Sequence, residues 1–190
     1  MNPKLVPLKE RLGLEDGMKL LDVGCDDGNH ISSLKANLSL RVGIDIGKAG
    51  LLHKRTNVKF VLGDACYLPF VDKCFDIVMS RQFISHVWDV DKSFQEMQRV
   101  CSELIYTEDS NMFNPVVFAE LFFRYGFKWL FGKQNFNRLS KLEDIHSAFW
   151  WKRKFRKQVT FLSRRFENPL LNVLWKYFGR DCIFTIRVKR

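Results

Sequence analysis

The chain is short of the features that mark several protein classes. Its five cysteines (Cys25, Cys66, Cys74, Cys101 and Cys182) form no C-x-x-C pair and no metal-ligand spacing. That argues against a disulfide framework or a metal centre and for reduced thiols in a cytoplasmic protein. Met1 to Leu14 is charged and lacks the apolar core of a secretory signal, so export is not expected. There is no internal repeat and no low-complexity linker. With 190 residues and 46% hydrophobic content, the expectation is one globular domain spanning 1–190 with a full core.

Charge is present but unevenly placed. Residues 1–100 carry 14 Lys and Arg against 13 Asp and Glu, whereas residues 101–190 carry 17 against 8. The aromatics follow: 13 of 18 phenylalanines and four of five tryptophans lie beyond position 100. The balanced half, 1–100, reads as a platform for a cofactor. The basic, aromatic half, 101–190, is where specificity for a partner or substrate is expected.

Short apolar runs alternate with helical patterns along the chain. Strands are expected at 18–23, 41–45, 58–62, 75–79, 103–107, 157–163 and 182–188. Helices are expected at 4–12, 29–37, 47–54 and over 91–100, where Phe94, Met97 and Val100 recur at helical spacing. Such alternation predicts a parallel, doubly wound α/β sheet. Asn114-Pro115 opens a further helix with proline at its first turn. Its polar stripe is Glu120, Arg124 and Lys128, set in a wide apolar arc. The charges and the proline argue against a membrane span. The segment 113–131 is then either a helix sandwiched in the core or an interfacial helix lining a greasy pocket. Trp150-Trp151-Lys152-Arg153-Lys154-Phe155-Arg156-Lys157 is either a solvated turn or a contact for phosphate, on a lipid headgroup or nucleic acid.

The most informative stretch is Leu20-Leu21-Asp22-Val23-Gly24-Cys25-Asp26-Asp27-Gly28-Asn29-His30. An apolar run ends in an acid, then a small-residue loop, then a helix start. Backbone N–H groups at such a loop face outward, and glycine lets a ligand come close. Val42-Gly43-Ile44-Asp45-Ile46 ends in an acid 17 residues after Gly28, where a carboxylate can accept from both ribose hydroxyls. Val58 to Ala65 places Asp64-Ala65 after the third strand, followed by Leu68-Pro69-Phe70. Phe75-Asp76-Ile77-Val78-Met79-Ser80 reads as the fourth strand.

Taken together, these segments resemble class I S-adenosylmethionine (SAM)-dependent methyltransferases, over roughly residues 18–100. The order is similar to the subgroup acting on small molecules, quinones and lipids. The resemblance implies a Rossmann-like, seven-stranded sheet, mostly parallel with an antiparallel last strand. It implies SAM as cofactor, held by Asp22, Gly24, Cys25, Gly28, Asp45, Ile46, Asp64, Ala65 and Ser80. In that family the acid at Asp64 accepts from the adenine amino group, and the next N–H donates to the ring.

The chain departs from the family pattern in two places. Asp26 replaces the middle glycine of D-x-G-x-G-x-G; aspartate tolerates left-handed backbone, so the loop is expected to keep its shape. Asp26 and Asp27 would favour the ammonium of the methionine moiety and repel its carboxylate. The glycine-rich turn before strand five is trimmed, with Arg99 to Glu103 running into Leu104. For chemistry, His86 is the candidate general base, or an ordinary helix-face histidine; Glu108 and Asp109 are weaker candidates for the same role. The N/D-P-P-Y signature of amino-methylating nucleic-acid enzymes is replaced by Ser80-Arg81-Gln82-Phe83. The expectation is transfer to a small or lipid-like acceptor, with peripheral membrane contact through 113–131. The alternatives are an RNA-directed enzyme or a non-catalytic interaction protein of the same fold.

Overall fold

A computed structural model describes residues 8–53, 55–110, 153, 159–162 and 181–188. The helix expected from Asn114 and nearly all of the 150–157 cluster lie outside the described residues. The elements are α1 (Leu8–Leu12), β1 (Lys19–Val23), α2 (Asn29–Ser32), β2 (Leu40–Asp45), α3 (Ala49–His53), β3 (Lys59–Leu62), β4 (Phe75–Arg81), a 3-10 turn (Ile84–His86), α4 (Val90–Val100), β5 (Cys101–Ser110), β6 (Val159–Leu162) and β7 (Asp181–Arg187).

The strands form one sheet in the order β3-β2-β1-β4-β5-β7-β6. β1 to β5 are mutually parallel where they pair, and β7 is antiparallel to both β5 and β6. The parallel, Rossmann-like arrangement with an antiparallel last strand is therefore as expected. Sequence order reverses between β1 and β4, and at such a switch point the loops leave a crevice outside the carboxyl ends of the strands.

Side chains alternate across the sheet and divide the core in two. Leu21, Val23, Val78, Ile105 and Phe184 face Phe94, Met97 and Val100 of α4. Leu20, Ile77, Met79 and Tyr106 face Leu12 of α1 and Ile31 of α2. Both faces are thus covered by helices, which is why the strands read as near-continuous apolar runs rather than as clean alternation.

α4 begins at Asp89, whose carboxylate accepts from the Lys92 N–H at 2.9 Å, a standard N-cap. It ends directly in β5 with no connecting loop, so the trimming seen in the sequence is complete. Arg99 in the last turn replaces the lost loop as a tie. Its guanidinium donates to the Leu68 and Phe70 carbonyls at 2.9 and 2.7 Å, to Asp72 at 2.8 Å and to Glu96 at 2.8 Å. Replacing Arg99 by methionine keeps the aliphatic stem and removes these bonds. The expected loss is about 2 kcal/mol in urea unfolding, the scale of hydrogen bonds to a charged group left without their donor; a loss below about 0.5 kcal/mol would contradict the tie.

Several boundaries differ from the expected ones, most notably at α2 and β5. α2 stops at Ser32 rather than continuing to 37, because Arg41 draws the Leu34 and Ala36 carbonyls to its guanidinium at 3.1 and 2.6 Å. β5 runs on through Glu108 and Asp109, so these acids lie inside a strand and not after it. Among the described residues no helix is long and apolar enough to cross a membrane.

Candidate functional site

The loop after β1 is stitched to β2. The Gly24 and Cys25 N–H groups donate to the Ile44 carbonyl at 2.9 and 3.2 Å, and Gly28 N–H returns to the Cys25 carbonyl at 2.8 Å. Gly24, Asp26 and Gly28 all take positive φ, 73°, 48° and 71°. Aspartate at position 26 therefore holds the left-handed geometry expected of it. Gly24 is required for a second reason that the sequence did not show: a Cβ there would overlap the ring of half-buried Phe83.

Asp45 lies at the carboxyl end of β2, half-buried. Its Oδ2 accepts from the Asp26 N–H at 2.9 Å and its Oδ1 from the Gly47 N–H at 2.7 Å. One donor on each oxygen leaves acceptor capacity on both, since a carboxylate offers about four lone-pair sites. Asp45 thus fixes the loop of β1 while remaining able to accept from a diol. Ile46 beside it is 78% exposed, an apolar surface next to a carboxylate. Asp64 is arranged in the same way: Oδ1 accepts from the Cys66 N–H at 2.8 Å and Oδ2 from the indole Nε1–H of Trp88 at 3.2 Å. Ala65 is buried behind it.

Three expected site residues lie below the surface. Cys25 is buried, and burial, then the nearby Asp22 and Asp45, push its thiol up, so it stays protonated and is no nucleophile. Ser80 is 0% exposed and its hydroxyl donates to Thr107 at 3.3 Å, so the side chain belongs to the sheet interior. Asp22 is 2% exposed. Burial pushes its carboxyl up to about 8; the Arg81 guanidinium opposes this and Asp45 adds to it. An acid that ionises later in the folded chain than in the unfolded one costs stability as pH rises between the two values. Stability is then expected to fall from about pH 4 to about pH 8 relative to an Asp22→Asn variant. Urea midpoints measured for both across that window check it, and parallel profiles would contradict it.

Asp22 shares its face of the sheet with a polar cluster that the sequence did not reveal. Arg81, the last residue of β4, pairs with Glu108 through Nε at 3.1 Å and Nη2 at 3.2 Å. Glu108 also accepts from the Tyr106 hydroxyl at 2.8 Å, with Arg11 of α1 3.7 Å away. Burial raises the Glu108 carboxyl, but the Arg81 bonds, then Tyr106 and Arg11, hold it below the ordinary range. Arg81 Nη1 meets His30 Nδ1 at 2.6 Å. Arginine only donates, so Nδ1 is the acceptor and the imidazole is neutral with its proton on Nε2. Burial, then the Arg81 cation, hold the His30 ring below the usual histidine range.

The base candidates separate on this geometry. Glu108 is engaged by Arg81. Asp109 is buried and accepts from Ser85 N–H at 2.8 Å and Ser85 Oγ at 3.1 Å. Both acids hold structure rather than a proton for transfer, correcting the expectation that they stand free after β5. His86 is exposed on the 3-10 turn that follows β4. The expected repulsion from Asp27 is also corrected. Asp27 accepts from the Asn29 N–H at 2.9 Å and pairs with Arg55 at 2.7 Å, and these bonds hold its carboxyl low and its charge balanced.

The residues at the crevice fit an adenosyl group. Two carboxylates with spare acceptor capacity stand at the ends of adjacent strands β2 and β3, and an exposed apolar side chain and a positive-φ loop adjoin Asp45. Among the described residues no cluster of three or more metal-ligating side chains is present.

Comparison with known proteins agrees with this arrangement. A methyltransferase domain family matches residues 21–103. A sterol 24-C-methyltransferase of Gibberella zeae is 34% identical over 106 residues, 49% of this chain and 27% of the relative. A demethylmenaquinone methyltransferase of a Roseiflexus species is 36% identical over 89 residues, 43% of this chain and 37% of the relative. The chain therefore spans well under half the length of these relatives. Among solved structures, a chain of the complex between the Haloferax volcanii Trm112 methyltransferase activator and a methyltransferase superposes with a TM-score of 0.67 at 16% identity, covering 95% of this chain and 87% of that one. At that identity the likeness is one of fold.

Proposed function

We propose that this chain is a class I SAM-dependent methyltransferase that transfers the methyl group of SAM to a small or lipid-like acceptor; the reading is supported by the methyltransferase domain family matching residues 21–103 and by the methyltransferases among the relatives. The observation that carries the cofactor reading is the pair of half-buried acids, Asp45 and Asp64, each with one donor on each carboxylate oxygen and unspent acceptor sites, with exposed Ile46 next to Asp45. Asp45 would hold the ribose hydroxyls and Asp64 the base. Gly24, Cys25 and Gly28 would line the approach through their backbone, with Asp22 and Ser80 supporting it from within the sheet and Ala65 presenting its N–H.

Bound SAM supplies an electrophilic methyl group on a good leaving group. The protein's share is then to orient the acceptor on the methyl axis and exclude water. Binding that is equal in ground and transition states does not accelerate this step; alignment does. For a hydroxyl acceptor, His86 would take the proton; its exposure after the carboxyl end of β4 supports this, while Glu108 and Asp109 are committed elsewhere.

Support for a lipid-like acceptor comes from the sterol and quinone methyltransferases among the relatives and from the many apolar residues in the sequence of 113–131. We assign 1–100 to the cofactor and 101–190 to the acceptor within a single domain, and place the protein in the cytoplasm with peripheral contact at a membrane. The basic charge of 101–190 favours a second reading, an RNA acceptor. Methyl-labelled SAM offered with a sterol, a demethylated quinone or total RNA separates them. Label in a lipid-like product is the expected result. Label in RNA alone would overturn the acceptor assignment. Absence of transfer to any of them, with SAM bound, would point to a non-catalytic interaction protein.

A further inference from the structure

Trp88 stands at the rim of the site, and nothing in the proposed transfer uses it. It is the only tryptophan in residues 1–100, and it is 67% exposed. Exposure of a large aromatic is ordinary when isolated, but this indole is held. Its Nε1–H donates to Asp64 Oδ2 at 3.2 Å. The next residue, Asp89, caps α4 through its carboxylate and accepts at its carbonyl from Cys66 Sγ at 3.5 Å. Cys66 in turn donates its N–H to Asp64 Oδ1 at 2.8 Å. The segments 64–66 and 88–89 therefore close on each other, and Asp64 is gripped on both oxygens from two different elements.

An indole N–H donates and never accepts. Bonded to Oδ2, it stops the carboxylate from turning. What remains on Asp64 is acceptor capacity alone. A ring edge that brings an N–H to this place completes the set, whereas one that brings a carbonyl oxygen meets a lone pair and leaves both groups unpaired. Sites built on a fixed hydrogen bond reject such analogues much more strongly than apolar pockets reject a change of size.

We propose that Trp88 is a specificity-determining residue for the nucleobase: by fixing Asp64 as an acceptor it makes the site select adenine, with an amino donor, over hypoxanthine, with a carbonyl in its place. The proposal rests on the reading that Asp64 meets the base. Trp88 is a positioning residue here, acting through Asp64, with its exposed face available to cover the ring.

The test compares binding of S-adenosylhomocysteine and S-inosylhomocysteine by calorimetry for the full chain, Trp88→Phe and Asp64→Asn. Trp88→Phe keeps an aromatic ring and loses only the N–H, and the exposure of the site protects the fold. The unmodified chain is expected to prefer the adenosyl ligand by tenfold or more, and Trp88→Phe to reduce that preference by about three- to tenfold, the worth of one hydrogen bond. If Trp88→Phe leaves the preference intact, or weakens both ligands equally, while Asp64→Asn abolishes it, the role of Trp88 is overturned and the reading of Asp64 stands. If Asp64→Asn also leaves the preference unchanged, or neither ligand binds the unmodified chain, both fall together.

Discussion

Replacing Asp45 by alanine should weaken binding of S-adenosylhomocysteine by about a hundredfold or more. Two charge-assisted hydrogen bonds to a ribose diol are worth about 1.5–3 kcal/mol each, so losing both costs about 3–6 kcal/mol. The structure adds a second cost. Asp45 also holds the Asp26 and Gly47 N–H groups at 2.9 and 2.7 Å, so its removal frees the loop after β1 and takes away the preorganisation of the whole crevice. Asn should be milder than Ala, because its single carbonyl oxygen still accepts from one of these donors. Calorimetry on the three proteins checks the order. Equal affinity for the unmodified chain and the alanine variant would remove Asp45 from the site.

Glu108→Ala should be the most destabilising single change outside the apolar core, at about 3–5 kcal/mol. The cost lies in what is left behind rather than in what the pair contributes. Arg81 and Glu108 have side chains only 19% and 10% exposed, and deleting the acid strands a guanidinium, the Tyr106 hydroxyl and Arg11 together. The His30 contact then becomes Arg81's remaining partner at that end of β4. Glu108→Gln keeps the shape and one acceptor and should cost less. Urea unfolding of both variants decides the matter; a loss under about 1 kcal/mol for alanine, the range of an exposed pair, would show that water reaches Arg81 freely.

The fold was legible because local signals and architecture agreed. Strand runs ending in Asp22, Asp45 and Asp64 mark the crevice edge, and the two-sided burial of Ile77, Val78 and Met79 explains why β4 is apolar throughout. The positions of Asp45 and Asp64 at the carboxyl ends of β2 and β3 were also legible, because the apolar runs stop there. Arg81 was not, because its partners lie 51 residues away at His30 and 27 away at Glu108, and no periodicity reports a pairing across a sheet. Glu108 and Asp109 read as free because the end of a strand is the least certain boundary in a sequence; three more residues of β5 bury both. Asp27 looked like an uncompensated charge for the same reason, as Arg55 reaches it from 28 positions on. Phe83 gave no signal at all. Its ring lies where a Cβ of Gly24 would be, so the glycine of the loop is needed for packing.

A crystal structure of the chain grown with S-adenosylhomocysteine tests the central claim most directly. Ribose hydroxyls are expected on the Asp45 carboxylate and the amino edge of adenine at Asp64, with Ile46 against the base. A crevice at the ends of β1 and β2 filled by Phe83 and its neighbours, with the nucleoside bound elsewhere or not at all, would contradict it.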